Sequence, residues 1–592
     1  MNNDKSRIML TKTQLDPICV QVSTTLLEVL RQSERAVKQG FPAGITLVVD
    51  EQGRLIGTIT DGDIRRASLK YQSYEVSAEK VMNGDPIAFP DYYSFTQILE
   101  ELPRVLTRKG RRSRSFLSKL VLIDDDRRPT RIIEYHQLWE QRVANHRHVV
   151  VLGLGYVGFT LALVLADRGF RTTGFDIDER RIAALDQGAS YIHERGLDEL
   201  FKRQLHKNFR PSSEFPSDGD VFIISVGTPV QKAATSNRPA PDLTALRLAS
   251  EAVGRRLQRG NLVVLRSTVP VGTTREFVLP VLEKVSGLKG GLDFHLSFAP
   301  ERTAEGKAIK ELRELPQIIG GLNEESVEAT AALFREMTST IVRVNSLEQA
   351  EIAKLLNNSF RDLIFSFANH AAQIASHYNV DIVETIKAAN QGYPRDPIPL
   401  PSPGVGGACL TKDPYIFSSV AKKLGMPETL FDFGREINES MLPYVVERVV
   451  AQLQKAGKEP GQCAVLICGL AFKGEPETGD IRNSTSVEIA HLLKERVGRL
   501  YGHDPIADRE EVLATGIVPV AELSEGLQRA DAVLFLNNHR FYEKVDLEQM
   551  IRQLRPPAII FDGWKLFNTD DVLHSGPCVY MGLSFTVSSL FD

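Results

Sequence analysis

The spacing of hydrophobic positions divides the chain into four blocks. In the first, GITLVVDEQGRLIGTITDGDIRRA places apolar runs at 45–49 and 55–59 around the turn Glu51-Gln52-Gly53, which predicts strand, turn, strand and a helix beginning at Asp61. A looser copy follows in KVMNGDPIAFPDYYSFTQILEEL and SKLVLIDDDRRPTRIIEYHQLWE, where the acidic turn 124–126 separates two more strands ahead of a helix. Residues 1–145 therefore read as a tandem α/β module. From His148 to about residue 344, short β-branched runs alternate with helical spacing, the pattern of a parallel sheet with crossover helices. Helical periodicity then covers 346–378 and 381–390, pauses at the Pro- and Gly-rich loop 392–407, and resumes to about residue 456. A second strand–helix block runs through CAVLICGLAF, RLYGHDP, AVLFLNN and PAIIFDGW to the end. The expected domains are 1–145, 146–344, 345–456 and 457–592: two doubly wound α/β domains joined by a helical middle, with a smaller α/β module in front.

Composition narrows the class of function. At 592 residues, 42% hydrophobic and 25% charged, the chain is an ordinary globular one, which excludes wholesale disorder and a fibrous repeat. A net charge of −4 offers no global attraction to nucleic acid or an anionic membrane. Five cysteines are too few for a disulfide framework, so a reducing, cytoplasmic setting is expected, and no apolar signal-peptide core is present at the N-terminus. The uncharged stretch 149–166 approaches membrane-spanning length, but Gly153, Gly155 and Gly158 split it into a strand and a helix. The basic run 104–114, RVLTRKGRRSR, reads as a solvated loop, with polyphosphate binding as the second reading. No metal is expected.

The first candidate chemistry follows the strand at His148. Gly153-Leu154-Gly155-Tyr156-Val157-Gly158 opens a helix: the first glycine permits the turn, the second admits a pyrophosphate to backbone N–H groups, and the third allows close helix–strand packing. Asp176 lies 18 residues beyond Gly158, at the end of the next strand, where a carboxylate binds the adenosine 2′-hydroxyl and repels a 2′-phosphate. NAD is therefore expected over NADP, although Arg181 nearby is able to serve a phosphate. Gly227-Thr228-Pro229 and Ser267-Thr268-Val269-Pro270 follow later strands, at the edge where doubly wound sheets bind ligands.

The second lies in PGVGGACLTKDPY. Cys409 follows a glycine loop, with Thr411 as expected N-cap, Pro414 in the first turn and Lys412 nearby, so its thiol is expected to be acidified and nucleophilic. Cys463 and Cys468 lie in an apolar strand and read as inert. Lys354 and Asn358, four apart in AEIAKLLNNSF, share a helix face and together suit a developing oxyanion. Glu301 in FAPERTAEG follows another strand and suits positioning or deprotonating water, while Asp413 is placed to assist that water or to orient Lys354.

With these residues in order, the chain from His148 onward resembles the UDP-glucose/GDP-mannose dehydrogenase family of nucleotide-sugar 6-dehydrogenases, through GLGYVG, SVGTP, STVPVG, PERTAEG, KLLNN, GVGGACLTKDP and FKGEPETGDIRNS. The resemblance implies two Rossmann-like domains and oxidation of a sugar C6 alcohol to an acid with two NAD, through a thiohemiacetal and a thioester on Cys409. It implies oxyanion stabilisation by Lys354 and Asn358, proton and water handling by Asp413 and Glu301, and Thr268 beside that chemistry. Arg181, Thr228, Thr268, Lys412 and Arg482 would contact NAD. Lys473 and the loop 400–406, with Leu400, Gly404 and Gly406, would hold the nucleotide sugar. Arg395 matches an arginine donated by a neighbouring subunit, so a homodimer or larger homo-oligomer is implied. Arg302 after Pro300-Glu301 resembles the N-acetylhexosamine branch, with UDP-glucose as the alternative substrate because Glu305 replaces that branch's proline. Residues 1–145 resemble a CBS-domain pair, in which Thr60 and Asp63 often hold the ribose of an adenine nucleotide; a capped helix start is the plain alternative. A reading of another class is a nucleotide-sensing regulator without turnover, which the intact Cys409, Lys354, Asn358 and Asp413 oppose.

Overall fold

A computed structural model describes residues 15–39, 41, 43–93, 95–108, 119–134, 147–232 and 239–590. The chain forms two compact units. One runs to Arg147 and takes in residues 323–333; the other holds 148–322 and 334–592.

The first unit repeats one small design. Strand Cys19–Gln21 pairs in parallel with Ile45–Val49, which pairs antiparallel with Leu55–Thr60. Strands Ala88–Pro90, Lys119–Ile123 and Pro129–Glu134 follow the same order and directions, with a register shift at the matching point, Val48/Val49 and Leu122/Ile123. The turns match as well. Asp50 accepts from the N–H groups of Gln52 and Arg54, and Asp124 accepts from those of Asp126 and Arg128. The two hairpins are joined by Leu55 N–H to Arg127 O at 2.8 Å and Arg128 Nε to Gln52 O at 3.1 Å, over a core shared by Leu47, Leu55 and Val121. The helix expected after the second pair of strands lies outside the described residues, as does most of the basic run, whose residues 104–108 end the helix Phe95–Arg108 rather than a loop.

Thr60 and Asp63 form a capping box on the helix Asp61–Tyr71. Asp63 Oδ2 accepts from Thr60 N–H at 2.8 Å and from the Thr60 hydroxyl at 2.6 Å, while Oδ1 takes Arg66 Nη2 at 2.5 Å. Both carboxylate oxygens thus serve the helix start, the plainer of the two sequence readings.

The second unit contains two parallel sheets of one topology. In the first, the strands Phe209–Ser212, Arg171–Phe175, His148–Leu152, Val221–Ile224, Leu262–Leu265 and His295–Phe298 lie side by side in that order and parallel. Strand order reverses beside His148–Leu152, so a crevice opens at the carboxyl end of that strand. Gln317–Gly321 then runs antiparallel to His295–Phe298, where an all-parallel sheet is expected. The connection 299–316 is long enough for either direction, and the hydrophobic spacing that marks the two strands does not record which way they run. The second sheet orders Val518–Pro519, Arg499–His503, Ala464–Cys468, Ala532–Phe535, Ala558–Asp562 and Cys578–Met581 in parallel, with Thr586–Ser588 antiparallel at the edge. Between the sheets stand the helices Leu347–Ser376, Ile382–Asn390, Asp413–Lys423 and Leu430–Lys455. No described helix is long and apolar enough to cross a membrane; residues 149–166 divide into the strand and the helix Tyr156–Asp167.

Candidate active site

At the first crevice each glycine has a distinct reason. Gly153 sits at φ +87°, and a Cβ there would meet Ser225 O at 2.8 Å. A Cβ on Gly158 would lie 1.9 Å from Gly153 O, whereas one on Gly155 would meet nothing within 4 Å. The loop is therefore closed against the protein and open at Gly155, as a pyrophosphate cradle has to be. Buried Asp176 accepts from Leu154 N–H at 2.7 Å through Oδ2 and from Asp178 N–H at 3.0 Å through Oδ1. Arg181 bonds the same Oδ2 at 2.8 Å and lies over the Tyr191 ring, so its charge is already matched by Asp176. Thr228 Oγ1 donates to Thr268 O at 2.5 Å, which fixes the two hydroxyl-bearing strand ends to one another. Half-buried Val157 lies in the first turn of the helix Tyr156–Asp167, and the Tyr156 hydroxyl is bonded to buried Glu194 and to Gly306 N–H. Tyr156 thus ties the glycine turn to the PERTAEG loop.

A second cluster surrounds Cys409. Lys354 and Asn358 are buried on the helix Leu347–Ser376. Lys354 Nζ donates to the backbone carbonyl of Glu301; Asn358 Nδ2 donates to Asp413 Oδ2 at 2.5 Å, and Lys412 Nζ bonds Asp413 Oδ1 at 2.6 Å. Cys409 is exposed, while Cys463, Cys468 and Cys578 are buried. Two expectations need correction. The helix begins at Asp413 with Lys412 as N-cap, and Thr411 instead turns its hydroxyl back to Gly407 O at 2.8 Å. Nor is the thiol acidified. The N–H groups of Lys412 and Asp413 bond the Cys409 carbonyl, so the helix terminus faces that oxygen rather than the sulfur. Desolvation by the surrounding protein pushes the thiol up, and Asp413 and Glu305 add to this against the pull of Lys354 and Lys412.

Glu301 is saturated. Arg266 bonds its Oε2 through Nη2 and, at 3.1 Å, through Nε, and the N–H groups of Arg302 and Thr303 bond Oε1 at 2.7 and 2.6 Å. Burial alone would raise this carboxyl; Arg266, the Thr303 N–H and Lys354 overcome it and hold the group below its ordinary value. Glu305 differs. Its Oε2 has no hydrogen-bond partner, and burial, with Asp480 and Glu194 adding to it against Lys473 and Arg482, pushes the carboxyl up to about 7.

Lys473 Nζ donates to Glu305 O at 2.7 Å, bringing the second sheet's cation to the same loop. Arg482 pairs with Asp480 at 2.5 Å. In the loop 400–406, Gly404 has φ +93°, a Cβ on Gly406 would strike Asn483 O at 2.6 Å, and Leu400 is exposed. Arg302 and Arg395 stand apart from the thiol cluster: Arg302 Nη2 is bonded to Pro316 O, and Arg395 is exposed beside the Tyr393 ring.

Comparison with known proteins agrees with this arrangement. Residues 147–338 match the NAD binding domain of the UDP-glucose/GDP-mannose dehydrogenase family, 348–440 its central domain and 466–569 its UDP binding domain, while 6–70 match a CBS domain. A UDP-N-acetyl-D-mannosamine dehydrogenase of Pyrococcus horikoshii is 33% identical over 432 residues, covering 72% of this chain and 97% of that one. The chain belongs to the UDP-glucose/GDP-mannose dehydrogenase family. It is an NAD-dependent nucleotide-sugar dehydrogenase with a CBS domain near its N-terminus. An NDP-N-acetyl-D-galactosaminuronic acid dehydrogenase of Ralstonia solanacearum is 32% identical over 416 residues, 68% of this chain and 93% of the relative. The solved UDP-D-ManNAc dehydrogenase of Pyrococcus horikoshii superposes with a TM-score of 0.65 at 31% identity, covering 74% of this dehydrogenase and 99% of the other. A UDP-glucose dehydrogenase of Pyrobaculum islandicum gives 0.65 at 27% identity, with 75% and 99% covered.

The sequence reading of this dehydrogenase missed two residues. Arg266 had no signal of its own, since its partner lies 35 residues away on another strand end. Glu305 was visible only as a departure from a branch pattern; its free, buried carboxyl became apparent in three dimensions.

Proposed function

We propose that the chain oxidises the C6 alcohol of a UDP-N-acetylhexosamine to the uronic acid in two steps through Cys409. The observation that carries this is the Cys409 thiol within the field of Lys354, Lys412 and Asp413, with Asn358 bonded to Asp413, because an enzyme that stopped at one hydride would need no nucleophile. The names of the N-acetylmannosamine and N-acetylgalactosaminuronic acid relatives support the hexosamine.

NAD fits the glycine cradle and Asp176, and when bound it accepts the electrons of both oxidations. The chain's own work is to hold charge and move protons. Cys409 adds to the C6 aldehyde, its thiol proton passing to the former carbonyl oxygen as the thiohemiacetal forms, and the negative charge that develops on that oxygen is met by the Lys354 ammonium and the Asn358 amide, whose orientation the Asp413 bond fixes. After the second oxidation, water attacks the thioester carbonyl and releases the acid and the thiol. Glu301, fully bonded and acidic, takes no part as base; Glu305, with an unbonded oxygen and a carboxyl near neutrality, accepts the water's proton.

The division of labour belongs to the same proposal: regulation in 1–145, NAD in 146–344, assembly in 345–456 and UDP-sugar in 457–592. A homodimer is supported by the exposed apolar stripe Leu356, Phe360, Phe367 and Ile374 on the helix Leu347–Ser376, which needs cover. Unpaired cysteines support a cytoplasmic setting. An adenine nucleotide at the CBS domain is the proposed effector. Incubating the full chain with NAD and a panel of UDP-N-acetylhexosamines and UDP-glucose is expected to yield two NADH per N-acetylhexosamine consumed. One NADH per sugar, or turnover of UDP-glucose alone, would overturn the reading.

A further inference from the structure

The buried face of the helix Leu347–Ser376 carries a line of polar side chains, each holding a different loop. Glu351 accepts from the N–H groups of Gly272 and Thr274 at 2.6 and 2.8 Å, Lys354 reaches Glu301 O, and Asn358 holds Asp413. Asn369 Oδ1 accepts from Ser402 N–H at 2.8 Å. Between these stands Asp362, fully buried and bonded at 2.8 Å to both Arg435 Nη1 and Asn438 Nδ2 of the helix Leu430–Lys455. A buried ion pair is a poor stabiliser, since removing two charges from water consumes most of what their attraction returns. Its geometry indicates another use. Arg435 Nη1 also bonds Val405 O at 3.3 Å, four residues before Cys409. On the other side, Arg435 Nη2 bonds Glu439 Oε1 at 3.3 Å, and that oxygen accepts from the Tyr415 hydroxyl at 2.8 Å, six residues after Cys409. One guanidinium therefore holds one end of the segment that presents the thiol directly and the other end through Glu439, while its own carboxylate sits on the helix that bears Lys354 and Asn358, one turn beyond Asn358.

We propose that Arg435, anchored by Asp362, is a positioning residue that sets Cys409 against Lys354 and Asn358. The proposal rests on the two-step reading above. Arginine is needed because its planar fork serves both arms and Asp362 at once, which a lysine's single nitrogen cannot.

The test uses the full-length chain as Arg435→Met, Arg435→Lys and Tyr415→Phe, with three measurements: kcat and KM, NAD affinity by fluorescence titration, and iodoacetamide labelling of Cys409 followed by peptide mass. For Arg435→Met, kcat is expected to fall about 100-fold, the cost of an ångström-scale misplacement. Labelling of Cys409 at neutral pH should slow at least about tenfold as the thiol loses its place beside Lys354, with NAD affinity close to wild type, although the fold is weakened because buried Asp362 is left without its cation. Lysine is expected not to rescue. Should the methionine variant fail to fold, Tyr415→Phe, which cuts one arm only, is expected to lower kcat about tenfold and to slow labelling about threefold. Unchanged labelling, full rescue by lysine, or loss of NAD affinity in step with kcat would each overturn the proposal. Because labelling needs no sugar, its result stands apart from the wild-type NADH yield, which tests the underlying reading.

Discussion

Glu301 and Glu305 occupy one loop, yet the first carries four hydrogen bonds and the second leaves an oxygen unbonded. A base must be unprotonated to act, so with a carboxyl near 7 the release of acid should quicken as pH rises through about 7 and level above it. Glu305→Gln is expected to lose that limb and to accumulate a Cys409 thioester, visible by intact-protein mass; an unaltered pH profile would remove Glu305 from the mechanism. Lys354→Ala is expected to lower kcat by about 10²–10³, the usual effect of removing an oxyanion donor, read by steady-state NADH formation. Arg266→Met strands Glu301 in the interior and should cost about 3–5 kcal/mol by urea unfolding. The proposed nucleophile and its helix partners could be picked out from local spacing: KLLNN and GGACLTKDP each place their polar groups within a turn or two. Arg266 could not, because an arginine ending an apolar strand has no local feature that reveals its partner.

Elements were legible where the hydrophobic period was long and uninterrupted. Runs such as VVVLGLGYVG and AVLICGLAF could bury themselves only as central strands, and they do; the first feeds a helix directly, the second a loop that leads to the helix Thr485–Lys494. What escaped depended on competition between nearby groups. Thr411 had the chemistry of an N-cap, but Gly407 O lay within reach and took its hydroxyl. The antiparallel Gln317–Gly321 was hidden because hydrophobic spacing marks a strand without recording its direction. At the glycine turn the packing is unforgiving: a methyl on Gly158 would stand 1.9 Å from Gly153 O. Gly158→Ala is therefore expected to abolish NAD binding in a fluorescence titration while leaving the second sheet folded; near-normal affinity would show that the turn yields.

For the molecule as a whole, the stripe Leu356, Phe360, Phe367 and Ile374 is large for a free surface. Phe360→Glu combined with Phe367→Glu is expected to give one chain mass by light scattering, against two or more for wild type. A wild-type protein already at one chain mass would refute the dimer. The helix beneath that stripe is a rod of 30 residues, about 45 Å long. Leu356 and Phe360 sit two residues beyond Lys354 and Asn358, roughly 200° around the axis at nearly the same height, so in the proposed dimer one cylinder would be gripped by a neighbour outside and by the loops around Cys409 inside. Turnover should then be hostage to concentration: on dilution, specific activity is expected to fade before the fold does.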